Sequence, residues 1–518
     1  MTPGAAARPA GSAAFVERNA AWRWLAPLNL TLLALVLAVG GLRLARPNKV
    51  FYYTEGVVVG SLAALERAGD LSELYPADGW TEDPTVLTLY PPVYFVLASG
   101  VNRLLGREAT LLGPRLLSAA ALLTVLLLLG LRGLRAGLPA AWGLALIAGA
   151  LLTPAVYTAV AGAQPDALAL LWTWIGIASA APLWAPRAGA GRRPWAWTAA
   201  GGAFLLAFFT KQSFIAAPAA FTLALFIQGR RGASVAFGAA LSVTALVGIA
   251  LLDRVTGGGY AANTIGALAG SFGWENLLGT LAASEPLQWV PLGILVGLSV
   301  AGSLRPGFPE LYLVASVLLH TAAMLKAGSS VNYLLEPTLA LLLLAAVRGG
   351  QRSLDVSPRH GRLHSRTGFV AGLAVACVIV AGAAGWREYS LARPWFLSGP
   401  GARVAEFEGS PLVDPMFTPA VLDRGMRPWL NDPFAFGVLL ETGRWDASGL
   451  QSDLRSGEIP FVLALVDLGL GPVPRGVGSS DLVMAYFWRA GPIWRAITEH
   501  YEPVSSAPIF LWIPKADR

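Results

Sequence analysis

The chain has 518 residues, 55% of them hydrophobic, with a mean hydropathy of +0.57 and a formal net charge of +7. From about residue 25 to about residue 385, apolar runs of roughly 15 to 22 residues alternate with brief polar breaks, which excludes a soluble core and calls for a polytopic membrane protein. The positive charge is spread over short loops instead of being gathered on one face, so a nucleic-acid partner is excluded as well.

Residues 1–24 read as a cytoplasmic tail, Ala-rich with Arg8 and Arg18 and without a small-residue cleavage pattern. An uncleaved first span over 25–45 is therefore expected. The outer stretch over 46–114 is long for a connection between membrane helices, and such loops tend to be functional. Mixed helical spacing of apolar residues over 56–68 and 91–105 predicts two helices lying in the membrane interface. Spans 2, 3 and 4 follow at 115–131, 141–160 and 166–183. Spans 5 (196–210) and 6 (213–228) are too short to cross ~30 Å comfortably, and predict a hairpin that meets a thinned or water-filled region. Span 7 covers 232–252, and an outer loop with Gly257, Gly258, Gly259, Trp274 and Glu275 leads to spans 8 (287–303), 9 (310–325), 10 (333–347) and 11 (367–385).

This register of eleven spans sorts the polar residues by side. Alternate breaks carry Arg132 and Arg135, then Arg187, Arg192 and Arg193, then Arg230 and Arg231, then Arg305, then the arginines between Arg348 and Arg366. Arginine in short loops marks the cytoplasmic face. The intervening breaks hold Glu55, Tyr90, Asp166, Lys211, Lys326 and Asn332, so every candidate chemical group falls on the extracytoplasmic side. Beyond the membrane domain (25–385), hydropathy drops. Short apolar runs bounded by Gly and Pro at 410–415, 460–470 and 508–515, with a helical stretch near 434–456, predict a small extracytoplasmic α/β domain over 386–518.

Several residues carry chemistry by type and place. Glu55, in FYYTEG, is a carboxylate at the membrane surface suited to accepting a proton from an incoming hydroxyl. Tyr53 beside it offers an aromatic face to a sugar. Asp166, in AQPDALAL, opens an apolar span, where a carboxylate is costly unless paired or hydrated; the plain alternative is a helix N-cap. Only four of the 38 basic residues are lysines: Lys49, Lys211, Lys326 and Lys515. Lys211 and Lys326 stand at outer span ends beside hydroxyl and amide donors, Gln212 in the first case and Asn332 and Tyr333 in the second. A compact ammonium there suits a lipid phosphate, with snorkelling to the interface as the plain alternative. Arg115, in GPRLLS, is a third phosphate candidate, and Tyr90 with Pro91 and Pro92 fixes the start of the second interfacial helix. Glu336 is a buried acid with Lys326 as an expected partner. His360 and His364 lack a third ligand, and the single cysteine, Cys377, lies in the last apolar run, so no His or Cys metal site is expected. The chain has neither an internal repeat nor a phosphate-cradling loop, which disfavours a nucleotide-fuelled pump.

With these residues in order, the chain resembles the integral-membrane glycosyltransferases of the C-type superfamily, the group including protein mannosyltransferases and aminoarabinose transferases. The likeness rests on YYTEG, LYPPVYFVLASGVNRLLG, GPRLLS, AQPDALAL, TKQS and KAGSSVNYLLEP, spread over spans 1 to 10. Members often carry adjacent acids in the first loop, whereas Glu55 stands without one. The resemblance implies an enzyme that moves a sugar from a polyprenyl-phosphate donor to a hydroxyl of an envelope lipid, glycan or protein. It gives Glu55 the base role with Asp166 in support, and assigns Lys211, Lys326 and Arg115 to the donor phosphate. The expected transfer is inverting and needs no cofactor, a divalent metal being disfavoured. The rivals are a secondary transporter or lipid flippase with an outward-facing polar cavity, and a noncatalytic scaffold.

Overall fold

The computed structural model describes residues 41, 53–77, 85–135, 156, 159, 162–184, 194–268, 272–283, 307–326, 328–355, 408–441, 443–464, 468, 491–504 and 510–515. The first part holds α1 (Tyr53–Ala68), α2 (Val93–Leu104), α3 (Leu112–Arg135), α4 (Pro165–Trp184), α5 (Pro194–Thr210), α6 (Ala216–Ile227), α7 (Arg231–Val255), α8 (Gly259–Thr264), α9 (Trp274–Ala283), α10 (Phe308–Met324) and α11 (Leu335–Asp355). The second holds β1 (Leu412–Val413), α12 (Thr418–Leu422), α13 (Pro433–Glu441), α14 (Ser448–Ser456), β2 (Val462–Ala464), α15 (Gly491–His500), β3 (Tyr501–Pro503) and β4 (Phe510–Pro514).

Among the described residues, four helical stretches are long and apolar enough to cross a bilayer: Leu112–Arg135, Pro165–Leu183, Arg231–Val255 and Val331–Arg348. Expected spans 2, 4, 5, 6, 7, 9 and 10 coincide with α3, α4, α5, α6, α7, α10 and α11. Spans 1, 3, 8 and 11 lie outside the described residues. The bundle core is built on small residues. Ala196, Ala200, Ala203 and Ala207 form a buried stripe on α5, and Gly176 of α4 receives the Phe204 ring so closely that an added Cβ would sit 2.4 Å from it. Small residues let helix backbones approach where lipid gives no hydrophobic drive. In contrast, only 6% of the apolar window of α7 is buried, and Val235, Val243, Leu246, Val247 and Leu251 face outward.

The predicted interfacial helices form as α1 and α2, with different surroundings. Helix α2 keeps an exposed apolar edge at Val96, Leu97 and Leu104. On α1, by contrast, every residue from Glu55 to Leu65 is buried. The C-terminal domain covers it: a Cβ on Gly56 would lie 1.7 Å from the Pro415 carbonyl oxygen, and one on Gly60 would lie 2.9 Å from Asn431 Cβ. Glycine at one helical turn's spacing therefore lets the tail lie directly on the helix backbone.

The tail is the expected small α/β unit, a four-stranded sheet in the order β1-β2-β4-β3. β1 pairs parallel to β2, and β4 pairs antiparallel to both β2 and β3. Alternation splits its core. Leu412, Val462, Ala464 and Trp512 face one cluster, while Val413, Leu463 and Leu511 face the other. The stretch expected as one helix near 434–456 is two, α13 and α14, because Gly443 takes a left-handed turn at φ 66° between them. Loop 85–90 joins this domain through Thr85, whose N–H donates to the Trp429 carbonyl at 2.8 Å.

Candidate functional site

Chain direction sets the site. Helix α3 opens near Arg115, α4 opens at Asp166, α5 closes at Lys211, α10 ends just before Lys326, and the turn Val331–Leu334 carries Asn332 and Tyr333 into α11. These ends meet. The opposite ends of the same helices carry Arg132 and Arg135 on α3, Arg348 on α11, and Arg230 and Arg231 between α6 and α7.

Two buried ion pairs stand at its floor. Arg115 donates from Nε to Glu55 Oε1 and from Nη2 to Glu55 Oε2, both at 2.8 Å, and neither residue is exposed. Glu55 Oε1 also accepts the Ala163 N–H at 3.0 Å. A planar guanidinium matches a carboxylate in this two-point manner, and burial makes the geometry stringent. Lys211 Nζ donates to Asp166 Oδ1 at 2.6 Å, with the rings of Tyr90 and Tyr333 5.4 and 5.1 Å from its nitrogen. Asn332 Nδ2 reaches Asp166 Oδ2 at 3.5 Å. The two pairs share one segment, since Ala163 and Asp166 belong to the same turn into α4.

Glu55 and Arg115 therefore have surroundings unlike those expected. Glu55, expected as the base, and Arg115, expected at the donor phosphate, hold each other. Gln212 likewise serves the framework, donating to the carbonyls of Leu89 at 3.0 Å and Thr264 at 3.1 Å. Glu336 does not pair with Lys326. It lies 3.4 Å from Nε2 of His320, a lone histidine in an apolar helix and so without a signal in sequence.

Lys326 forms no ion pair or side-chain hydrogen bond among the described residues. Burial holds its pKa down to about 8, the neighbouring Lys211 charge acts in the same sense, and Asp432 opposes both. Asp432 is the residue that sequence reading passed over. It accepts a short hydrogen bond from the Tyr53 hydroxyl and one from the Ala435 N–H at 3.0 Å. Burial raises its carboxyl to about 6, against the pull of those donors and of Lys326. In sequence, Asp before Pro433 reads simply as the N-cap of a helix, and it does cap α13. Its neighbour Asn431 is held by the Leu87 N–H at 2.6 Å and donates to Ser61 Oγ at 3.2 Å, fixing the tail segment to α1 and loop 85–90.

An apolar groove of about 840 Å³ runs between α5, α6 and α7, from Phe214 and Ile215 to Phe226 and Ser234. Among the described residues, no group of three or more His, Cys, Asp or Glu side chains is arranged to hold a metal ion.

The chain shares its fold with ArnT, the kind of fold that the resemblance carried by the sequence motifs implies. The crystal structure of ArnT from Cupriavidus metallidurans bound to undecaprenyl phosphate matches with a TM-score of 0.59 and 14% identity, covering 93% of this chain and 97% of that one. Its apo state matches with a TM-score of 0.56 and 15% identity, with the same coverage. The archaeal oligosaccharyltransferase AglB from Archaeoglobus fulgidus, in complex with an inhibitory peptide and a dolichol-phosphate, gives 0.48 at 12% identity over 94% of this chain and 74% of that one. No protein-family model and no curated protein matches the sequence.

Proposed function

We propose that the protein is a membrane glycosyltransferase that moves a sugar from a polyprenyl-phosphate donor to an acceptor hydroxyl on the extracytoplasmic face. One observation carries this reading: two lysines of opposite status stand at the outer helix ends, Lys211 buried and Lys326 half-buried. Lys211 is fixed by Asp166 and two tyrosine rings, while Lys326 has no ion-pair partner among the described residues, a place that the donor phosphate would fill. An ammonium kept in a poorly solvated place without a counter-ion favours an incoming anion. The groove starting at Phe214, three residues from Lys211, is the place for the polyprenyl tail. It is apolar and is lined on one side by the little-buried α7.

Displacement at the anomeric carbon leaves charge on the departing phosphate. Groups already oriented toward that charge lower the barrier without reorganising during the reaction. Lys211 and Lys326 have this role, and Asp166 and Asn332 orient Lys211. The Glu55–Arg115 pair acts one step back, bracing the turn at Ala163 that presents Asp166. Protein cations already compensate Glu55 and Asp166, which supports a transfer independent of a resident metal. ArnT was crystallised with undecaprenyl phosphate, which makes that lipid a fitting probe.

The test is incubation of purified protein with a panel of radiolabelled polyprenyl-phosphate sugars and a membrane extract as acceptor source. Label should move to acceptor, and Lys211→Ala should slow transfer on the order of 10²-fold. Ion-driven uptake into liposomes without breakage of the sugar–phosphate bond would replace the enzyme by a transporter.

A further inference from the structure

Resting on this transfer reading, we propose that Asp432, supplied by the C-terminal domain, is the catalytic base that takes the proton from the acceptor hydroxyl. Five buried carboxylates lie in or beside the site: Glu55, Asp166, Glu336, Asp414 and Asp432. Asp414 caps the turn Pro415–Phe417, accepting the Met416 N–H at 3.0 Å. Glu55 is clamped by Arg115, and Asp166 is in contact with Lys211. In both, the carboxylate oxygens are already taken up by protein donors, which leaves them less accessible to an incoming hydroxyl. Glu336 lies against His320 within the helices. Asp432 differs from Glu55 and Asp166 because, among the described residues, its Oδ1 accepts from neutral donors, the Tyr53 hydroxyl and the Ala435 N–H, and from Glu336 because it lies outside the membrane helices, at the start of α13. It belongs to none of the four ion pairs among the described residues.

Its location fits the role. Tyr53 stands two residues before Glu55, and the Asp432 charge acts on Tyr90 and on the ammonium of Lys326, which also senses Lys211. The carboxylate therefore touches the aromatic side of the site through Tyr53, and its charge acts on Lys326 at the phosphate side. Burial sets its proton affinity close to the working range of a general base, which lies near ambient pH. Asn431 anchors the adjoining backbone to Leu87, Ser61 and Val57, so the carboxylate is held in place before substrate arrives. In the step, the acceptor O–H bond breaks toward an Asp432 oxygen while the acceptor oxygen bonds to the anomeric carbon. The bond from that carbon to the phosphate oxygen breaks, and its electron pair leaves on the polyprenyl phosphate between Lys211 and Lys326.

The test compares full-length wild type, Asp432→Ala and Asp432→Asn with radiolabelled polyprenyl-phosphate sugars, a membrane extract as acceptor source, and sodium azide as an alternative nucleophile. Azide is already an anion and needs no base. Both variants should lose transfer to hydroxyl acceptors by about 10²- to 10⁴-fold, the usual worth of a general base. Asp432→Ala should still form glycosyl azide of inverted configuration at a rate within a few fold of wild type. Hydroxyl transfer retained by Asp432→Asn overturns the proposal. So does parallel loss of hydroxyl and azide products, which marks a structural role. If wild type yields neither product from any donor, the transfer reading itself fails, and the base role falls with it.

Discussion

At the residue scale, the buried Glu55–Arg115 pair is the sharpest point of leverage. Replacing Arg115 by Met strands a carboxylate that is wholly out of water, and loss of one partner of such a pair costs about 3–5 kcal/mol. Thermal unfolding in detergent should show that loss for Arg115→Met. The double variant Glu55→Leu with Arg115→Met should recover a large part of it, because no charge is then left uncompensated. A second prediction concerns pH. Asp432 faces the Tyr53 hydroxyl, the Ala435 and Phe434 N–H groups, Lys326 and Tyr90, while Lys326 faces Lys211 and Asp432. With Asp432 raised to about 6, the ionised base forms as pH rises through that value, so activity increases there. With Lys326 lowered to about 8, its charge is lost as pH rises further, so activity falls. The profile should be a bell between these limbs, and Lys326→Arg should move the alkaline limb upward while leaving the acid limb in place, since guanidinium stays charged. An unmoved alkaline limb would assign it to another group.

At the scale of elements, α1 links the membrane domain to the tail. Its Gly56 and Gly60 lie on the face covered by Pro415 and Asn431, and a methyl at Gly56 cannot fit against the Pro415 carbonyl. Gly56→Ala should loosen this contact, seen as faster hydrogen exchange over 411–431, with transfer reduced because Asp432 shifts with its segment. Wild-type exchange in the variant would mean that the helix and tail move apart at little cost. The sequence made α1 legible as a helix, through its apolar spacing, but not its covering. An interfacial helix and one roofed by a distant domain show similar apolar content, and the Gly56–Gly60 spacing gains meaning only when Pro415, more than 350 residues later, is seen against it. The same holds for the site. Asp166, Lys211, Asn332 and Tyr333 were readable because an unusual polar group at the end of an apolar run is itself a signal. The mutual capture of Glu55 and Arg115 and the arrival of Asp432 depend on long-range packing that no local pattern records.

At the scale of the whole molecule, helix direction and the covering domain converge on one site, and an apolar groove lies between α5, α6 and α7. Chain alternation brings the reactive side chains to one end and arginines to the other, and the apolar groove between α5, α6 and α7 starts within three residues of Lys211. The central claim is that this site holds a lipid phosphate between Lys211 and Lys326. Binding of undecaprenyl phosphate to detergent-solubilised wild type and to the double variant Lys211→Ala with Lys326→Ala, followed by native mass spectrometry, tests it most directly. Each charge-assisted contact is worth about 1.5–3 kcal/mol, so affinity should fall by at least tenfold in the variant. Equal occupancy of the two proteins would contradict the account.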